Sequence, residues 1–247
     1  MTVGLPDVCL AIFIFSPMPK SPTFGEQVLD YHFGLPTINL PREIDWLYPY
    51  DSSYVREIMQ LFFSKYFDDS HPRCLLLGIN PGRFGAGITG VPFTDPIRLQ
   101  EVCGIENDFT KRQELSSLFV YDFIKALGGV REFYSHFYIT SICPLGFVKD
   151  GKNYNYYDDK HLEQVVQPLI IENIRTQIRI GGRTDVAFSM GKGKNFKYLK
   201  KLNDQYSFFE EVKPLPHPRW VMQYKLKKKN QFVQEYVKAL SKARDFS

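Results

Sequence analysis

The chain has no apolar run long enough to cross a bilayer, so no membrane partner is expected. It has only four cysteines, Cys9, Cys74, Cys103 and Cys143, and their spacing fits neither a metal site nor a disulfide framework. Cys74 and Cys143 lie in apolar runs and read as buried thiols. A reducing cytoplasm is the expected home. Internal repeats and low-complexity linkers are absent, and residues 21–247 read as one domain. Residues 1–20 read as an N-terminal extension of unknown role. Its apolar stretch Val8–Phe15 has no basic residues before it, which argues against a signal peptide. It is either a packed strand or part of an extension ahead of a start at Met18.

What is present is a globular composition with an uneven charge. Hydrophobic residues make up 44% of the 247 and charged ones 23%, enough to bury a sizeable core. Net charge is +4, but Lys192 to Lys229 holds eleven Lys/Arg against three acids, a local +8 that leaves −4 for the rest. Such asymmetry suits a polyanion on one side, although a solvated lysine-rich face would look the same.

Strand and helix patterns alternate. Phe24 to Phe33 reads as a short helix, Trp46 to Tyr50 as an aromatic loop, and Asp51 to Phe67 as an amphipathic helix capped by Asp51 or Ser52. The continuous apolar run Cys74 to Leu77 reads as a buried parallel strand. Asp95 to Asn107 reads as partly helical and Ser116 to Leu127 as a helix. Phe133 to Cys143 is β-rich, with a strand at about Phe137 to Ile142, and Lys149 to Asp159 is a polar, aromatic-rich loop. Further helices are expected at Asp159 to Ile178, Phe196 to Leu202 and Phe232 to Leu240, with strands at Thr184 to Met190 and Phe208 to Val212. The fold class is α/β, three layers around a central, mostly parallel sheet.

The stretch Leu75 to Phe93 (Leu-Leu-Leu-Gly-Ile-Asn-Pro-Gly-Arg-Phe-Gly-Ala-Gly-Ile-Thr-Gly-Val-Pro-Phe) carries the strongest signal. An apolar strand ends at Asn80-Pro81 and enters a loop whose glycines permit close approach to a ligand. In open α/β sheets ligands bind beyond the carboxyl ends of the strands. The loop lacks the Gly-Lys-Ser/Thr ending of a phosphate-binding NTPase.

Gly78-Ile-Asn-Pro-Gly82 followed by Thr89-Gly-Val-Pro-Phe93 resembles the first motif of the single-strand-selective monofunctional uracil-DNA glycosylases, a branch of the uracil-DNA glycosylase superfamily. That resemblance implies a water-positioning Asn80 and a Phe93 that stacks on an extruded base. It also implies a base-binding set of Ile79, Gly82, Phe84, Gly85, Phe93 and Ser141. The run Cys143-Pro-Leu145 is similar to the family's segment after the base-reading strand, but Ser141 stands where the mammalian-type pattern has Asn. Serine offers one short hydroxyl where an amide offers donor and acceptor together, so a broader or shifted set of deaminated bases is an open expectation. Pro216-His-Pro218 resembles the superfamily's second catalytic loop and implies that His217 supports the leaving base. Arg219-Trp220 replaces the Ser-Pro that follows in the family, and Arg219, Trp220 or Val221 could fill the gap left in a duplex.

The implied activity is hydrolysis of the N-glycosidic bond of uracil or a related deaminated base in DNA by a monomer. Lys192, Lys194, Arg219, Trp220, Lys225 and Lys227 are expected to contact the DNA. No motif position holds a lysine nucleophile, so no lyase step is expected, and neither a metal nor a cofactor is called for. The alternative is a non-catalytic nucleic-acid-binding protein on the same fold.

Overall fold

The computed structural model describes residues 21–244. The expectations for residues 1–20, among them Val8–Phe15, Cys9 and Met18, fall outside the described residues. Helix α1 (Phe24–Phe33) opens with a capping box: the Glu26 N–H donates to Thr23 Oγ1 at 3.1 Å, and the Thr23 N–H donates to Glu26 Oε2 at 2.7 Å. A short strand β1 (Asp45–Leu47) and a single 3-10 turn (Pro49–Asp51) occupy the segment expected to be an aromatic loop. Helix α2 (Ser53–Tyr66) is capped by Ser52 and buries Val55, Ile58, Met59, Phe62, Phe63 and Tyr66, the periodic face read from the sequence.

Strand β2 (Arg73–Gly78) is buried along its whole length. After the glycine loop come the short helices α3 (Ala86–Thr89) and α4 (Pro96–Glu101), then α5 (Leu115–Ala126). The expected β-rich stretch from Phe133 begins instead as helix α6 (Val130–His136), and only Phe137–Ser141 forms a strand, β3. Phe133 and Tyr134 are buried on that helix, so apolar content alone could not separate the two conformations.

The polar loop expected after Lys149 is a β-hairpin. Strands β4 (Gly146–Lys149) and β5 (Lys152–Tyr154) are joined by Asp150-Gly151, both at positive φ (50° and 67°). Asp-Gly is the sequence such a tight hairpin turn requires. With β1 the hairpin makes a three-stranded antiparallel sheet, order β1-β4-β5.

The remaining elements are α7 (Lys160–Ile180), β6 (Gly182–Met190), α8 (Lys194–Tyr206), β7 (Glu211–Leu215), α9 (Pro218–Tyr224) and α10 (Lys229–Arg244). The last strand starts three residues later than its expected Phe208. Phe208 and Phe209 are buried in the turn before it, and the strand runs on through Pro214. A proline is tolerated there because β7 is an edge strand.

The main sheet has the order β3-β2-β6-β7, and all its pairs are parallel. Helices α1, α2 and α7 pack as one group over it and α5, α9 and α10 as another, which gives the expected three-layer α/β arrangement. The chain moves from β2 outward to β3 and then back past β2 to β6. This reversal opens a crevice at the carboxyl ends of β2 and β6, where such folds place their ligands.

Candidate active site

The crevice is a cavity of about 640 Å³, and Asn80, Phe93, Ser141 and His217 all line it. Three strand ends deliver them, Asn80 and Phe93 sharing the connection after β2. Asn80 follows β2, Ser141 closes β3 in register with Gly78, and His217 follows β7. The backbone ladder continues beyond the strands, with Ile142 N–H donating to the Gly78 carbonyl and Cys143 N–H to that of Ile79, both at 3.0 Å. This ladder ties the Asn80 loop to the Cys143-Pro144 turn.

The Asn80 amide has a defined orientation. Its Nδ2 donates to the carbonyls of Pro81 and Tyr154 at 3.3 Å each, and its Oδ1 accepts from the Tyr156 N–H at 3.3 Å. The oxygen keeps a second lone pair. A carboxylate in the same place would set an oxygen against two carbonyls, so this surrounding selects an amide. Tyr156 is itself fixed, because its buried hydroxyl donates to Asn195 Oδ1 at 3.0 Å. Asn195 in turn reaches Ser189 Oγ at 3.2 Å and the Leu77 and Gly78 carbonyls at 3.4 Å. A second buried amide, Asn173 of α7, donates to the Ser141 and Ile142 carbonyls at 2.9 Å and holds the end of β3.

His217 is the N-cap of α9, and its Nδ1 accepts the Arg219 N–H at 3.2 Å. In a neutral ring the proton therefore sits on Nε2. Burial, and after it the Arg219 guanidinium, pull its pKa down to about 4. At neutral pH the residue is an uncharged donor. Phe93 has an unusual positive φ of 53°, and its ring centroid lies 6.3 Å from that of His217. A Cβ on Gly78 would come within 3.0 Å of the Phe93 ring, so glycine at 78 makes room for the aromatic wall.

The other expected residues divide. Ile79, Gly82 and Phe84 line the cavity. The Phe84 ring is covered by two guanidinium groups, Arg112 at 3.9 Å and Arg83 at 4.8 Å from its centroid. Gly85 is buried and does not line the cavity; it leaves space for the Glu114 carboxylate, which a Cβ at 85 would strike. Arg219 and Trp220 line the cavity, and Lys192, Lys194, Lys225 and Lys227 are exposed. Val221 is fully buried and cannot enter a gap in a duplex. The exposed aromatics on α9 are Trp220, at 42%, and Tyr224, at 65%.

Several cavity residues carried no motif. Asn153, Asn155 and Tyr157 come from the hairpin and the turn after it, and Asn153 Oδ1 accepts the Arg83 N–H at 3.0 Å. The signal that would have placed them is the Asp150-Gly151 turn. Glu114 also lines the cavity, and its Oε2 is buried with no hydrogen-bond partner. Burial, and then the Asp95 charge, push its pKa up to about 7 against the opposing pull of Arg219 and Ser116. Among the described residues, no group of three His, Cys, Asp or Glu is placed to hold a metal ion, and no helix is long and apolar enough to cross a membrane.

The model of the uracil DNA glycosylase superfamily matches residues 64–241, well over half of the chain. The chain belongs to that superfamily. Among curated proteins, it is 28% identical over 164 residues to the single-strand selective monofunctional uracil-DNA glycosylase of Rattus norvegicus. That match covers 58% of each protein, so the chain spans less than two thirds of the rat protein. Among solved structures, wild-type Pedobacter heparinus SMUG2 superposes with a TM-score of 0.88 at 44% identity, covering 91% of this chain and 99% of that one. The fold is that of a bacterial member of the superfamily, and the branch is the one the motif at Gly78 to Phe93 resembles.

Proposed function

We propose that the protein is a monofunctional DNA glycosylase that extrudes uracil or a related deaminated base and hydrolyses its N-glycosidic bond. The observation that carries this reading is the convergence of Asn80, Phe93, Ser141 and His217 on one cavity at the sheet's carboxyl edge, in a chain of this superfamily. Extrusion costs a few kcal/mol, least for mismatched or unpaired bases. The lysines and Arg219 supply sequence-independent phosphate affinity, and Phe93 stacks on the extruded base.

As the C1′–N bond lengthens, positive charge grows on the sugar and negative charge on the leaving base. His217 Nε2–H donates to a base oxygen and stabilises that anion. A pre-placed neutral donor of this type is typically worth roughly 3 kcal/mol. Asn80 Oδ1 orients a water toward C1′. Its oxygen bonds to C1′, its proton passes to solvent, and the base leaves with the electron pair of the broken bond. A dissociative route needs little from a base, which suits an amide. Ser141 offers a single hydroxyl to the base edge, so selectivity is broader than an asparagine there would give.

The test is base release from single- and double-stranded oligonucleotides carrying uracil, xanthine, hypoxanthine or mismatched thymine, with Asn80→Ala alongside. Release that the variant loses supports the glycosylase. Borohydride should trap no covalent enzyme–DNA adduct if the enzyme is monofunctional. DNA binding without release of any base would sink the reading and leave a non-catalytic binding protein.

A further inference from the structure

A second cavity of about 420 Å³ adjoins the first, and the two share Ile79, Tyr157, His217 and Trp220. Its own lining adds Phe232 and, at the turn into α8, Lys192 and Lys194. Lys194 Nζ sits 5.4 Å from the Tyr157 ring centroid, and Trp220 meets Phe232 edge-on at 5.7 Å. Lys192 pairs with Glu235 at 2.6 Å, with both side chains substantially exposed, a contact weak enough for a phosphate to displace. The cavity falls within the size range of small-ligand sites. Aromatic faces beside lysines are the equipment of a site for an unpaired base.

We propose that this second cavity seats the nucleotide next to the extruded one on the same strand of single-stranded DNA, its base against Trp220 or Tyr157 and its phosphate toward Lys192 and Lys194. The inference rests on the glycosylase reading of the first cavity. Because His217 and Trp220 form part of the common wall, consecutive nucleotides of one strand straddle it. In a duplex the neighbour stays paired and stacked on its far side even though extrusion bares the near one, so it does not leave the helix, and the second cavity serves unpaired strands alone.

Gly193 makes the site testable. It belongs to the second cavity and not to the first, and a Cβ added there meets no atom within 4 Å. Gly193→Leu therefore adds a bulky side chain to the lining without displacing a neighbour and narrows the cavity, while Gly193→Ala alters the same backbone and adds only a methyl group. The readout is kcat/KM for uracil release from single strands whose neighbour on the 5′ or 3′ side is intact or a tetrahydrofuran abasic residue. In the wild type and Gly193→Ala, an abasic residue on one side should cost about tenfold. Gly193→Leu should start at that lowered level, ignore the abasic residue, and match the wild type on duplexes. A wild type indifferent to abasic neighbours on both sides would overturn the proposal, as would a Gly193→Leu variant that keeps the wild-type sensitivity. If no base is released at all, the glycosylase reading has failed. The same pairs of strands, read by binding anisotropy, then decide the site, and equal affinities would reject it.

Discussion

The two ends of β2 hold polar groups in opposite ways. At its amino end Arg73 is fully buried between the Phe24 and Phe67 rings, 4.7 and 4.9 Å from their centroids. Its Nη1 and Nη2 donate to the two Asp69 carboxylate oxygens, and Nε and Nη1 also donate to the Tyr134 and His71 carbonyls, all at 2.7–2.8 Å. Each guanidinium nitrogen is used. Beyond the carboxyl end, Asn80 keeps a lone pair and His217 an Nε2–H in hand, while Glu114 Oε2 lacks any partner. Buried polar groups cost free energy unless satisfied. One end is closed for stability, and the other is left open where a substrate can complete it.

The sharpest way to break this contrast is Arg73→Met. It keeps an apolar stem between the two rings but takes the partner from the Tyr134 carbonyl and the Asp69 carboxylate. Water can take up the Asp69 carboxylate, which is 35% exposed, so the loss comes chiefly from the stranded buried carbonyl, about 1–3 kcal/mol, readable as a lower denaturant midpoint. Activity per folded molecule should be unchanged. His217→Ala should do the reverse. Its rate of base release should fall by about 10²–10³, while stability falls by only about 1 kcal/mol from the lost helix cap. Equal stability losses in the two variants would erase the distinction between the ends.

Much of this was legible in the sequence because the signals were local. The faces of α1 and α2 follow helical spacing, β2 is one continuous apolar run, and Asn80, Ser141 and His217 each follow or end a strand. Parallel strands leave little choice about where such residues meet. The small sheet was missed because β1 has three residues and the Asp150-Gly151 turn looks like any polar loop until its partner strands are paired. Helix α6 was missed because Phe133 and Tyr134 suit a strand equally well. Glu114 had no signal whatever. Its perturbation depends on Gly85 and Asp95, neighbours in space and not in sequence.

Glu114 also separates the two ends by pH. Its pKa is raised to about 7, so the folded state prefers the protonated form. The associated stability is present below the unfolded value of about 4.3 and is lost as pH rises through about 7. His217 and the buried His32 run the other way, both lowered to about 4. Their contribution is present above about 6.5 and is lost as pH falls toward 4. Glu114→Gln should therefore match the wild type near pH 4 and exceed it by about 2 kcal/mol at pH 8. Thermal melts across that range would check this. A constant offset between the two proteins would mean that Glu114 titrates normally.

The smallest expected effect tests how the open end is held open. Tyr156 contributes its N–H to Asn80 and its hydroxyl to Asn195, which also reaches the Gly78 carbonyl. The phenol thus braces the loop that orients the Asn80 amide. Tyr156→Phe leaves the ring and the backbone N–H in place and removes only the link to Asn195. One buried hydrogen bond is worth about 1 kcal/mol, so stability should fall by that much. If the brace positions Asn80, kcat should drop several-fold with KM unchanged, because the water and not substrate binding loses its alignment. A variant that lost stability with kcat intact would return Tyr156 to the group of contacts that only hold the fold, alongside Arg73.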